Sequence, residues 1–231
     1  MPSILDLGFS GSGKSSMMRN MPLDKIAVFN VAGKPLPFKG KISAMITTHD
    51  VDAIIASLER NNYNCYVIDD SQYLMSFKLI DKINETGYAK YTEIAKDFKR
   101  LVDTANTKVS PDTLVYFMHH IETTDDGFHK AKTTGKMIDN WLTLEGLFSI
   151  VLMNTVSGDR KYKVITQSDG TNTCKSPIGM FPDEMDNDLL KIDTAIREYY
   201  ELAPLGSKPK KEPAAPKVTV SMGGQVPGGE T

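Results

Sequence analysis

Cysteine is nearly missing from this sequence: Cys65 and Cys174 are the only two in 231 residues, far apart and without metal-ligand spacing. A disulfide framework and a thiolate-built zinc site are therefore not expected, and a reducing compartment fits best. Cys65 lies in an apolar run and reads as a small buried hydrophobe. Long hydrophobic runs are missing too. No stretch is long enough to span a bilayer and no signal peptide is found, so a cytoplasmic protein without a membrane partner is expected. Charge of one sign is also lacking. The net charge is −2 and the pI is near 6.1, so no global field attracts a polyanion. Any nucleic-acid contact has to come from a local basic patch. Of the four histidines, His49 and His129 have no partner at metal spacing.

What is present is ordinary for a globular domain: 40% hydrophobic and 24% charged residues. At roughly 100–200 residues per domain, the length suggests one domain plus an appendage. Ser3 to Leu7 reads as a short strand and Lys14 to about Arg19 as the opening of a helix. Ile26–Val31 and Ile42–Ile46 read as strands, with the Gly- and Pro-interrupted loop "AGKPLPFKG" between them. Thr48, His49 and Asp50 offer helix caps, and Val51, Ile54, Ile55 and Leu58 follow on one helical face. "NCYVIDD" is a buried strand ending in two carboxylates; "TLVYFMHH" is another, ending in two histidines. Between them Ile94, Phe98, Leu101, Val102 and Ala105 mark an amphipathic helix. Buried strands alternating with helices predict an α/β fold, a mainly parallel sheet flanked by helices. After about Gly146, "LFSIVLMNTV", "SGDR" and "KYKVITQS" read as a C-terminal antiparallel hairpin. Leu189, Ile192, Ile196 and Tyr199 stripe a last helix. The predicted domain is residues 1–202; residues 203–231, rich in Pro, Gly and Lys, read as a disordered tail.

The segment Gly8-Phe9-Ser10-Gly11-Ser12-Gly13-Lys14-Ser15, with Ser16 after it, fits the P-loop pattern G-x-x-x-x-G-K-[ST] at every fixed position. The glycines let the backbone curl so that N–H groups converge on phosphate oxygens, and a helix start adds its positive end. Lys14 reaches the β- and γ-phosphates, and the Ser15 hydroxyl is a Mg²⁺ ligand. Asp69, ending "CYVID", is the expected second metal-positioning group. Asp70 either orients or deprotonates the attacking water, or caps the next element. Ligands of open parallel sheets lie beyond the carboxyl ends of strands. One of His119 and His120 therefore contacts the γ-phosphate, or both are ordinary loop histidines.

With the P-loop, "YVIDDSQYLM" and "VYFMHHIE" in this order, the chain resembles RecA-like phage ATPases. Within them it is most similar to the Sak-type single-strand annealing branch of recombination proteins, also described as AAA-family ATP-binding proteins. The resemblance spans about Pro2 to Leu202; "TTGKM" and "KSPIGMF" tie the chain to this branch more narrowly than the ATP-site motifs do. It implies a RecA-like P-loop NTPase core that uses ATP and Mg²⁺, forms homo-oligomeric rings or filaments, and binds single-stranded DNA. A single-strand-binding protein is a candidate partner, and the host cytoplasm is the expected location. Gly8, Gly13, Lys14 and Ser15 match the Walker A loop and Asp69 the Walker B acid. His119 or His120 occupies the sensor position. Lys132 or Lys136 resembles a lysine finger that reaches a neighbouring subunit's ATP. One departure stands out. RecA-type enzymes place a catalytic Glu after the strand that follows the P-loop helix, and here that strand ends "FNVAGKP".

The segment Thr123–Met137 carries Lys130, Lys132 and Lys136 with Phe128 and His129 between them. It reads as a mobile polar loop. Lysines neutralise phosphates and an aromatic ring stacks on a base, so Phe128, Lys130 and Lys132 are the DNA-binding candidates. The competing reading is a solvated loop in which Asp125 and Asp126 cancel part of the charge. Lys161, Lys163 and Lys175 form a weaker second patch.

Three functions remain open: a DNA-binding recombination ATPase, a nucleotide-gated interaction module with little turnover, and a small-molecule kinase. Against the last, Arg19, Arg60, Arg100, Arg160 and Arg197 are scattered, leaving no arginine-rich lid to clamp a transferring phosphoryl group.

Overall fold

The computed structural model describes residues 3–135, 138 and 142–209. In chain order the strands are β1 (Ser3–Gly8), β2 (Ala27–Asn30), β3 (Ala44–Ile46), β4 (Cys65–Asp69), β5 (Leu114–Thr123), β6 (His129–Ala131), β7 (Ile150–Val156), β8 (Tyr162–Ile165) and β9 (Glu184–Asp186). Among the described residues the α-helices include α1 (Val51–Glu59), α2 (Gln72–Asp81), α3 (Ala89–Thr107) and α4 (Leu189–Tyr199). The sheet order is β3-β2-β4-β5-β1-β7-β8-β9, with β6 paired to β5 off this path. Neighbours from β3 through β7 run parallel; β7, β8 and β9 run antiparallel. The predicted mainly parallel α/β sheet with a C-terminal antiparallel hairpin is the observed one.

The central strands are continuous apolar runs because both faces of the sheet are covered. Side chains along β4 alternate between two cores: Tyr66 and Ile68 face one, Cys65 and Val67 the other. The first core is closed by Ile54 and Leu58 of α1, Leu74 of α2, and Phe98 and Leu101 of α3. The second is closed by Met17 and Met18 after the P-loop and by Leu189, Ile192 and Ile196 of α4. Helix α1 starts where expected because the Asp50 side chain accepts hydrogen bonds from the N–H groups of Asp52 and Ala53.

Several local expectations change. The segment after the P-loop is a 3-10 helix, Ser15–Asn20, pinned by burial of Met17 and Met18. Helix α2 escapes the sequence reading because its buried side is only Gln72, Leu74 and Met75, too short a stripe to show a clear period. Strand β5 does not end at the histidines. It continues to Thr123 and turns back antiparallel into β6, so the presumed mobile loop is in part a hairpin. Gly127 (φ 84°) makes that turn, and Thr124 Oγ1 accepts from the Phe128 N–H. The hairpin is tied down further by a hydrogen bond from the His129 N–H to the Thr171 carbonyl.

At the C-terminal end, Ala203 N–H donates to Asp112 Oδ1, and Asn64 bonds both Pro204 and Gly206. Residues 203–206 thus lie against the domain; 210–231 lie outside the described residues. No helix among the described residues is long and apolar enough to cross a membrane.

Candidate active site

Strand β1 ends at Gly8, and the loop Phe9–Lys14 turns over the carboxyl edge of the sheet. Gly11 and Gly13 have φ of 79° and 97°, which suit glycine. A Cβ on Gly13 would also lie 2.7 Å from the Tyr162 ring and 3.0 Å from Asn187 Nδ2. Lys14 is nearly buried, and its Nζ donates to the carbonyls of Gly8 and Phe9, each at 2.8 Å. Burial holds its pKa below the usual lysine value, with Asp6, Asp70 and Asp69 opposing the shift. The ammonium is thus folded onto its own loop, at the mouth of a cavity of about 150 Å³. Ser10, Gly11 and Ser16 form that cavity's loop side; Lys34, Asp70 and His120 face them. Ser12 Oγ is buried with no hydrogen-bond partner among the described residues.

Ser15 Oγ donates to Asp69 Oδ1 at 2.8 Å, which brings the two expected metal ligands together across the sheet edge. Burial, then the neighbouring charge of Asp70, pushes Asp69 up to about 6, against the Ser15 hydrogen bond. A hydroxyl and a carboxylate oxygen in contact at the end of a P-loop form the hard-oxygen donor set that Mg²⁺ takes. The residues fit the ion.

Asp70 stands at φ 60°, a left-handed conformation outside any helix. The backbone turns there so that the carboxylate faces the cavity instead of capping α2; the N-cap of α2 is Ser71. Its Oδ2 lies 2.6 Å from Lys34 Nζ and its Oδ1 3.1 Å from His120 Nε2. Burial opposes ionisation, but the contacts with His120 and Lys34 outweigh it and bring Asp70 down to about 2.

The two histidines are separated by the period of a strand, which sends neighbours to opposite faces. His120 faces the cavity and packs edge-on to Tyr73. His119 faces the core and is fully buried against Phe98. Its Nε2 bonds the Lys132 carbonyl at 2.8 Å and its Nδ1 lies 2.9 Å from Ser71 Oγ. Burial lowers its pKa to about 3, so it is a neutral packing group. The sensor expectation is corrected for His119 and remains for His120.

The DNA candidates do not converge. Phe128 lies just before β6 and Lys130 within it, with Lys130 paired to Glu122 at 3.0 Å. Lys132 is exposed and borders a different feature, a groove of about 600 Å³ with Phe9, Tyr73, Tyr91 and His120 in its walls. Lys136 lies outside the described residues.

Sequence reasoning missed three groups around the loop. Lys34 is one. The others are Asn154 and Asn187, which link buried Asp6 to the P-loop. Asn154 Nδ2 donates to Asp6 Oδ1 at 2.6 Å; Asn187 Nδ2 donates to Asn154 Oδ1 at 2.5 Å and to the Gly13 carbonyl at 3.2 Å. The C-terminal strands thereby hold the P-loop in place. No spacing rule marks Asn154 and Asn187, because the relay ties them to Asp6 and Gly13, each more than a hundred residues away.

Asp6 itself has a second oxygen, Oδ2, with no hydrogen-bond partner among the described residues, and burial pushes its carboxyl up to about 8. Its folded pKa lies above its unfolded value, so the native state holds a proton the unfolded chain releases. That contribution is complete below about pH 4 and is lost as pH rises toward about 8. Asp6→Asn copies the protonated form in shape. It is expected to raise the thermal midpoint by roughly 5 °C at pH 8 and much less at pH 5. Equal shifts at both pH values would show that Asp6 does not titrate in this window.

No protein-family model matches the chain, and no curated protein matches it. Among solved structures it is similar to a prototypical ATPase from the type III secretion system of pathogenic bacteria, with 12% identity and a TM-score of 0.41. The similarity covers 68% of this chain, which spans 51% of that protein. The chain's own geometry is that of a P-loop on a mainly parallel α/β sheet, with its loop serine held by the acid of the adjoining motif.

Proposed function

We propose that the chain binds magnesium–ATP at this loop, hydrolyses it, and uses the nucleotide state to control binding and annealing of single-stranded DNA. The contact between Ser15 and Asp69, beside a P-loop lysine, carries the nucleotide part of this reading. Mg²⁺ held by Ser15 and Asp69 would neutralise charge on the β- and γ-phosphate oxygens. Lys14 exchanges two loop carbonyls for phosphate oxygens. The loop N–H groups bind the phosphate chain, and Asp70 and His120 meet the γ-phosphate end. In hydrolysis, a water oxygen bonds to the γ-phosphorus, the bond to the β-bridging oxygen breaks, and the phosphate product takes the proton. Asp70 faces the cavity with the γ-phosphate end in reach, which suits a group that orients the water.

The DNA part rests on the resemblance and on the groove beside His120. That groove pairs aromatic side chains with exposed Lys132, a combination suited to stacked bases and a phosphate. Rings or filaments of the chain and a lysine finger acting between subunits belong to the same reading. ATPase assays with and without single-stranded DNA test it, with turnover expected to rise when DNA is added. Turnover that appears only with a nucleoside or nucleotide acceptor would make the chain a kinase. A second reading, a nucleotide-gated module with little turnover, is favoured by the lack of any acidic residue from Val31 to Gly40. Nucleotide binding without turnover under either condition would establish it.

A further inference from the structure

We infer that Lys34 is a catalytic cation supplied by the chain itself, whose ammonium moves from Asp70 to a γ-phosphate oxygen when ATP is bound. The inference rests on the nucleotide reading above and adds a residue that no motif marks.

Lys34 stands where the β2 segment crosses the carboxyl edge of the sheet, beside the Walker B strand. Asn30 of β2 is registered with Asp69 of β4, and the Val31 N–H donates to the Asp69 carbonyl at 3.2 Å. The turn that follows is built rather than loose. The buried Asn30 side chain uses both ends of its amide on one residue: Nδ2 donates to the Lys34 carbonyl at 2.6 Å and Oδ1 accepts from the Lys34 N–H at 3.2 Å. Gly33, at φ 66°, makes the bend, and its N–H donates to the Asn30 carbonyl. The backbone of Lys34 is thus fixed, and only its side chain is left to move.

That side chain spans the cavity mouth opposite the P-loop. Its Nζ is 2.6 Å from Asp70 Oδ2 and 5.7 Å from the centre of the Tyr73 ring. It is 58% exposed, whereas the Asp70 side chain is 7% exposed, so the lysine is the mobile partner. With its ammonium largely in water, Lys34 adds only modestly to stability through this pair. A cation poised over a phosphate cavity adds much more to a reaction in which charge builds on the γ-phosphoryl oxygens. When Lys34 shifts, His120 Nε2 stays 3.1 Å from the other oxygen of Asp70. Where the resembling enzymes have a glutamate that acts on the water, this chain has a cation that acts on the phosphoryl group.

The test uses the full chain and its Lys34→Ala and Lys34→Arg variants, measuring ATP affinity, ADP affinity and kcat. Lys34→Ala is expected to leave ADP affinity within about twofold, to lower ATP affinity about tenfold relative to ADP, and to cut kcat at least about 100-fold. Lys34→Arg is expected to restore most of both losses, because the positive charge is kept. Unchanged ATP-to-ADP preference and unchanged kcat in Lys34→Ala overturn the role of Lys34. If the wild-type chain binds nucleotide without turnover, the ATP-to-ADP preference alone decides. A wild-type chain that binds neither nucleotide overturns the P-loop reading instead.

Discussion

Lys14→Ala is expected to abolish nucleotide binding and hydrolysis without weakening the fold. The two effects separate because of where the ammonium sits. In the free chain it satisfies two carbonyls of its own loop, and burial already works against its charge. Removing it therefore relieves a desolvation cost while leaving the loop's glycine geometry in place. In the proposed nucleotide complex the same group meets the β- and γ-phosphates, where a charge-assisted contact in a water-poor site is worth most. ATP affinity is expected to fall at least about 100-fold, with a thermal midpoint no lower than that of the wild type. Full activity in this variant would sink the site assignment. A lost fold would show instead that Lys14 is a structural group.

The largest expected loss of stability lies at the other end of the chain, at Arg197 of α4. Its guanidinium is buried, and its donors reach five acceptors: both oxygens of Asp193 and the carbonyls of Asn64, Asp112 and Ala203. Asp193 is fully buried and also accepts from the Tyr116 hydroxyl at 3.0 Å. One side chain thus ties α4 to the starts of β4 and β5 and to the segment after α4. Arg197→Ala leaves a buried carboxylate without its cation and three carbonyls without a donor, at a cost of about 3–5 kcal/mol. The loss should deepen as pH rises. Burial already raises the pKa of Asp193, and without Arg197 the folded state must hold that proton to still higher pH. Replacing both residues, as Arg197→Met with Asp193→Leu, is expected to recover much of the stability, since an apolar pair of similar volume carries no buried charge. Urea unfolding of the single and double variants measures both effects. A single-variant loss below about 1 kcal/mol would show that the cluster is not an anchor.

The P-loop and its acid were legible because their chemistry is written contiguously. Glycine torsions, a lysine and a hydroxyl must follow one another within one turn of chain, and Asp69 closes an apolar run of strand length. The sheet was legible for the same local reason, since strands covered on both faces are apolar throughout. His119 and His120 were not separable, because adjacent strand residues face opposite sides and nothing local says which side meets the ligand. The segment around Phe128 looked like a loop because its hairpin is held by long-range bonds, among them His129 to Thr171.

By itself the sequence determined the glycine-rich P-loop pattern, the acid that closes the β4 run and the alternation of strand and helix, all of which depend on neighbours in the chain. Only the tertiary structure decided which histidine faces the cavity, that Asn154 and Asn187 bond to the loop and its strand, and that Lys34 lines the cavity opposite the P-loop. Those roles arise where separate strands end side by side on one sheet edge, and that adjacency is created by packing, not by order along the chain.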